Sequence, residues 1–348
     1  MQEHPITFFK KEDDSKIYEL IKSKIINHSE VVVSFFDYCN MRCSFCPQDH
    51  ESKIGMTKEG ILSKIPFILD YMDKNKSNRF LFHLMGGELF QDELIEAGFL
   101  DYYSEFIDLT DVSKERIIDY NFITNLVFTK TEEIQQFLQK HNLKIAISYD
   151  PVARFSKPQL EQFKKNIEIF KPYIRMFSCV ITKQNIKAIL EGDEYFDYLY
   201  DNFDCHWDYL LVGNDKLDKM MPTQSEVFSF YKHLVDNYPR VMNVQQYFDN
   251  SQNKMGCTRG NTFTILADNS KPVGCSGAVI LSNKKTDDIW STKIIKNFIE
   301  ENHCLSCEYY QRCNLSCFVN NDYKKIVKDI DGCVYKKVFE YVESRNEY

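Results

Sequence analysis

The chain has 348 residues and 41.2 kDa, with 43% hydrophobic, 27% charged and 14% aromatic residues, which excludes a disordered chain or a single small module. Its 43 Lys and Arg against 51 Asp and Glu leave a formal charge of −8, and no basic block is long enough to track a phosphate backbone, so no nucleic acid partner is expected. No apolar run approaches the roughly 18 to 20 residues of a bilayer span, and the N-terminus is acidic where a signal peptide is apolar, so a cytoplasmic protein with no membrane partner is expected.

Residues 1–30 read as an N-terminal helical extension, because Ile17, Leu20, Ile21, Ile25 and Ile26 recur at helical spacing. From 31 to 212 short β-branched or aromatic runs alternate with amphipathic stretches. Strands are expected at 31–36, 79–85, 119–123, 144–149, 175–181 and 206–212, with helices at 58–73, 91–109, 131–141, 157–170 and 186–202. Six βα units predict an α/β fold with a parallel sheet, either a partial TIM-like barrel or an open doubly wound sheet. Periodicity does not separate the two, and both place function at strand C-termini. A linker with a helix at 223–237 fills 213–243, and a cysteine-rich domain is expected over 244–348.

The strands run into loops of chemically suggestive residues. The first leads to Cys39, Cys43 and Cys46, the second to Gly86-Gly87-Glu88, the third to Thr124-Asn125 and the fourth to Ser148-Tyr149-Asp150. Asp150 precedes Pro151, so it either points into the barrel or makes an Asx-type turn. Twelve cysteines in a chain expected to meet a reducing cytosol suggest metal ligation rather than disulfides. Three thiolates on one tight loop after a buried strand suit three corners of a [4Fe–4S] cluster, with the fourth iron open to an exogenous ligand. A structural zinc site is the alternative, though zinc knuckles rarely use this triplet after a strand.

The loop Cys39-Asn-Met-Arg-Cys43-Ser-Phe-Cys46 resembles the CxxxCxΦC motif of radical S-adenosylmethionine (radical SAM) enzymes, with Phe45 as its aromatic. The resemblance implies a partial (βα)6 barrel, a cluster whose open iron is chelated by SAM, and reductive cleavage to a 5′-deoxyadenosyl radical. Gly86, Gly87 and Glu88 resemble the family's GGE motif for the cofactor amine. Thr124, Asn125 and Ser148 resemble the polar positions that hold its ribose and carboxylate, ordinary strand-end capping being the alternative.

Downstream, Cys257, Cys275, Cys304-x2-Cys307-x5-Cys313-x3-Cys317 and Cys333 are similar to the SPASM signature. The likeness implies two auxiliary [4Fe–4S] clusters, three in all. Cys304, Cys307, Cys313 and Cys333 would hold the outer cluster, and Cys257, Cys275 and Cys317 the inner one. Asn269-Ser270 stands where the family has a hairpin glycine. No eighth cysteine follows Cys257, so the inner cluster is expected to be open or closed by a residue such as Cys205 or His206. Cys179 is either a buried filler or a hydrogen-atom donor.

Such enzymes mostly modify peptides, so the expected activity is radical maturation of a ribosomally made peptide, by a carbon or sulfur cross-link or another side-chain change. The alternative is dehydrogenation of a small molecule such as a sugar or cyclitol. An electron donor such as flavodoxin or ferredoxin is implied. The 30 residues before the first strand are too few for a winged-helix leader-binding module, so a separate leader-peptide-binding protein is a further possible partner.

Overall fold

The computed structural model describes residues 29–75, 77–111, 116–210, 219–248, 262–268, 272, 298–313 and 329–346. The N-terminal helix expected over 1–30, Cys257, Cys275, Cys317 and Asn269-Ser270 lie outside the described residues, apart from the last two positions of the helical extension.

Seven strands form one sheet in the order β6-β5-β4-β3-β2-β1-β7. They are β1 (Ser29–Ser34), β2 (Arg79–Met85), β3 (Ile117–Thr124), β4 (Lys144–Ser148), β5 (Ile174–Ile181), β6 (Asp204–Tyr209) and β7 (Thr262–Ile265). The pairings from β1 to β5 and that of β1 with β7 are parallel, for example Val31 with Phe82 and Val33 with Ile265. Consecutive strands are neighbours from β1 to β6. A doubly wound sheet would reverse its strand order midway, so the barrel-type winding is the one realised. The seventh strand, beside β1, is absent from the sequence expectation.

The connecting helices are α1 (Lys58–Leu62), α2 (Ile65–Lys74), α3 (Asp92–Glu96), α4 (Phe99–Thr110), α5 (Thr131–Lys140), α6 (Lys157–Phe170), α7 (Lys183–Glu191) and α8 (Glu194–Asn202). Three expected single helices are broken in two, each by local chemistry. Pro66 sits in the first turn of α2, where its missing N–H costs nothing, but it could not continue a helix from α1. Gly98 takes a φ of +83° between α3 and α4, a conformation open to glycine. Asp193 caps α8 by accepting from the Phe196 N–H at 2.6 Å. Beyond β6 come α9 (Gln224–Asn237), opened by a Thr223–Glu226 capping box, α10 (Met242–Gln245) and α11 (Val334–Asn346).

The chain divides into two compact units. One comprises Asn27–Ser178 with Thr262–Ser276. Its core is aromatic, with Phe35, Tyr103, Phe106, Phe122 and Phe137 all buried and in ring contact. The other comprises Met1–Ile26, Cys179–Asn261 and Gly277–Tyr348, where Trp207 packs edge-on against Phe230 and Phe339 stacks on Tyr309. Cys179 and Cys205 are both buried in this second unit, and Cys179 is fully enclosed as a core filler would be. No described helix is long and apolar enough to cross a membrane.

Candidate functional site

The first three strands end against one another through short polar connections. β1 continues into buried Phe35 and Phe36 and then into the cysteine loop. The segment after β2 docks on that loop, with the Gly87 N–H donating to Phe36 O at 2.8 Å and the Glu88 N–H to Tyr38 O at 3.1 Å. A side chain at 87 would have its Cβ 2.0 Å from Tyr38 O and 2.3 Å from Asp37 O. Glycine is therefore demanded by the backbone that leads into Cys39.

Glu88 is 1% exposed, and the protein itself engages both its oxygens. Oε1 accepts from the Phe90 N–H at 2.9 Å and the Thr124 hydroxyl at 2.8 Å, while Oε2 accepts from the Asn125 N–H at 2.6 Å. Burial raises its pKa, and these bonds oppose the rise. The carboxylate is thus a strut between the ends of β2 and β3. Asn125 extends the network, its Nδ2 donating to Asn40 Oδ1 at 2.8 Å and lying 3.9 Å from Cys39 Sγ. Asn40 in turn donates to Val127 O at 2.7 Å. From α6, fully buried Asn166 donates to Leu126 O and Phe128 O, supporting a turn in which Leu126 has a φ of +60°.

The loop after β4 closes on the other side. Asp150 pairs with Arg154 at 2.6 Å, the two side chains being 0% and 11% exposed. Ser148 is half-buried at the strand end. Cys39, Cys43 and Phe45 are buried, and Cys46 is half-buried. Gln48 ties the loop down by donating to Gly86 O at 2.9 Å.

Burial pushes the Cys39 thiol up to about 12, with Glu88 adding to the rise, and the Cys46 thiol up to about 11. Thiols so placed stay protonated at neutral pH unless a cation joins them, which iron supplies on coordination. That donor set fits a cluster. Among the described residues no three His, Cys, Asp or Glu side chains converge to hold a single metal ion; a cubane instead takes thiolates arranged around a volume.

In the second unit a cavity is lined by Cys304, Cys307, Cys313 and Cys333 together, with Phe298, Tyr309, Tyr335 and Phe339 in its wall. None of the four is in a disulfide. Cys304 opens a short 3-10 turn, and Cys333 immediately precedes α11. Burial raises the Cys333 thiol, while the N–H groups of Lys336 and Tyr335 at the helix N-terminus lower it. The four-cysteine set expected for the outer cluster therefore does meet around one volume. Cys205 is 1% exposed on β6, and neighbouring His206 lies 3.3 Å from Asp208.

Lys64, between α1 and α2, is 0% exposed although lysine is a residue of solvated positions. Its Nζ donates to Leu266 O at 3.0 Å and Ala267 O at 3.4 Å, pinning the chain as it leaves β7. Burial lowers its pKa to about 8, against the pull of Asp268 and Asp37. From about pH 8 to 10.5 the unfolded chain holds a proton that the folded one has lost, so stability rises with pH across that window. Relative to Lys64→Met, the wild type should gain about 3 kcal/mol over this range in denaturant titrations. Parallel pH profiles would show that the amine reaches solvent.

Asn40, Gln48, Lys64, Arg154 and Asn166 are the residues of this site that sequence reading passed over. Asn40 alone carried a signal, lying within the cysteine motif.

No family model matches the chain. The radical SAM cyclopropyl synthase TigE of Paramaledivibacter caminithermalis is 21% identical over 368 aligned positions, taking in 90% of this chain and 72% of that protein. Native anSMEcpe with bound AdoMet superposes with a TM-score of 0.65 at 17% identity, covering 91% of this chain and 97% of the other. The same protein with AdoMet and the Cp18Cys peptide gives 0.64 at 18%, over 91% and 97%. Streptococcus suis SuiB bound to its precursor peptide SuiA gives 0.53 at 16%, over 92% and 79%.

Proposed function

We propose that this chain, a radical SAM enzyme by homology and fold, matures a ribosomally made peptide by hydrogen abstraction. The observation that carries the reading is the pair of cysteine constellations: three on a loop at the strand C-termini, and four around a cavity in the second unit. The peptide substrate is supported by the peptide-bound states of anSMEcpe and SuiB.

In this reading Cys39, Cys43 and Cys46 hold a [4Fe–4S] cluster. Bound with SAM, that group supplies the one-electron cleavage that yields a 5′-deoxyadenosyl radical. The chain's own residues hold the geometry. Gly86 and Gly87 let the β2 loop lie against the cysteine loop. Glu88 fixes Thr124 and Asn125, and Asn125 with Asn40 fixes the position next to Cys39. Phe45 and Ser148 complete the SAM contacts. Cys304, Cys307, Cys313 and Cys333 hold the outer auxiliary cluster, and Cys257, Cys275 and Cys317 the inner one. A flavodoxin or ferredoxin supplies the electron, and the site works in the cytoplasm.

Anaerobically reconstituted protein should bind about 12 irons, four per cluster, and release 5′-deoxyadenosine from SAM under reduction. Replacing Cys39, Cys43 and Cys46 by alanine should abolish that release and leave about eight irons. Retained release would overturn the assignment of the loop. A short peptide encoded beside the gene should then change mass when incubated with enzyme and SAM; turnover of a sugar alcohol instead would move the substrate to the small-molecule class.

A further inference from the structure

The loop after β4 touches the cysteine loop between its second and third cysteines. The Ser44 N–H donates to Ala153 O at 3.4 Å. Ala153, just before Arg154, holds a φ of +70°, in the left-handed region. The Arg154 guanidinium then lies over the Phe45 ring, 5.1 Å from its centroid. Its Nε also donates to Asp150 at 2.6 Å. Both charges are shielded from water, so their fields act on neighbouring sulfur with little screening.

We propose that Arg154, held by Asp150 and Phe45, is a positioning and charge-setting residue of the three-cysteine site that raises the reduction potential of the cluster bound there. The inference rests on the assignment of a cluster to that loop. Reduction adds one negative charge to the cluster and its thiolates, so a fixed cation beside them favours the reduced state, and a fixed anion opposes it. The guanidinium lies over Phe45, which stands between Cys43 and Cys46 in the loop, so the cation is held against the cysteine segment itself. A pair of opposite charges on one short turn also gives the site two handles of opposite sign.

The test is an anaerobic redox titration of the reconstituted full chain, following the cluster EPR signal that changes on adding SAM. Arg154→Met should shift the midpoint of that signal to lower potential, and Asp150→Asn should shift it to higher potential. Arg154→Lys should fall between wild type and Arg154→Met. A purely structural clamp would move both variants the same way, or reduce iron content in both without moving the midpoint, and either result overturns the proposal. If Arg154→Met fails to load iron, Asp150→Asn and Arg154→Lys decide it, an unshifted or lowered Asp150→Asn midpoint counting against. Absence of any SAM-sensitive signal in the wild type would instead refute the cluster assignment beneath it.

Discussion

Replacing Gly87 with alanine is expected to cost the chain about four irons, the content of one cubane, while the four-cysteine cavity stays loaded. The added Cβ would lie 2.0 Å from Tyr38 O and 2.3 Å from Asp37 O. Both are backbone atoms of the segment entering Cys39, and neither can swing aside as a side chain does. The Gly87 N–H to Phe36 O bond and the Glu88 N–H to Tyr38 O bond also fix the two segments at contact distance. Relief therefore requires the cysteine loop to move, at about 1–3 kcal/mol as for other overpacked sites, with Cys39 carried along. The four-cysteine cavity belongs to the other compact unit, and Gly87 is not among the residues that line it. Iron analysis with EPR of the reduced protein reads the result. A Gly87→Ala protein with full iron and a SAM-sensitive signal would show that the Tyr38 and Asp37 carbonyls turn away freely.

The cysteine spacings were legible because ligand chemistry fixes them locally: three thiols within eight residues announce a shared site without any knowledge of the fold. The strands were legible where alternate apolar residues face a core, as in β2, whose Phe80, Phe82 and Leu84 are buried and whose ends at Arg79 and Met85 match the expected ones. What escaped depends on contacts distant in sequence. β7 has only four residues, Thr262–Ile265, and is a strand because β1 offers it an edge. Lys64 carries the side chain of a solvated position and is buried because the carbonyls of Leu266 and Ala267, some two hundred residues away, receive its amine. Arg154 shows the same limit in a charged residue. It lies over Phe45 next to the left-handed Ala153, and no periodicity encodes a turn of that kind.

Glu88→Gln separates two roles that the GGE resemblance joins, cofactor contact and internal strut. The carboxylate accepts from two backbone N–H groups and one hydroxyl, all buried. A glutamine can keep its oxygen where Oε1 accepts from Phe90 and Thr124, but its amide then meets the Asn125 N–H donor to donor. Stranding that buried donor and losing charge-assisted bonds should lower stability by about 2–4 kcal/mol. The loss is expected in iron-free protein with no SAM present. It should also loosen Asn125 and hence the Asn40 bond beside Cys39, so weaker SAM binding follows as a consequence. The pH dependence supplies a second readout. Burial holds the Glu88 carboxyl above its ordinary value of 4.5, so the folded chain keeps a proton that the unfolded one gives up. Its contribution is then present in full below about pH 4.5 and declines as pH rises through the folded value. The glutamine variant should lack that decline. Unchanged stability of the iron-free variant, together with weakened SAM binding, would show instead that Glu88 acts on the cofactor alone.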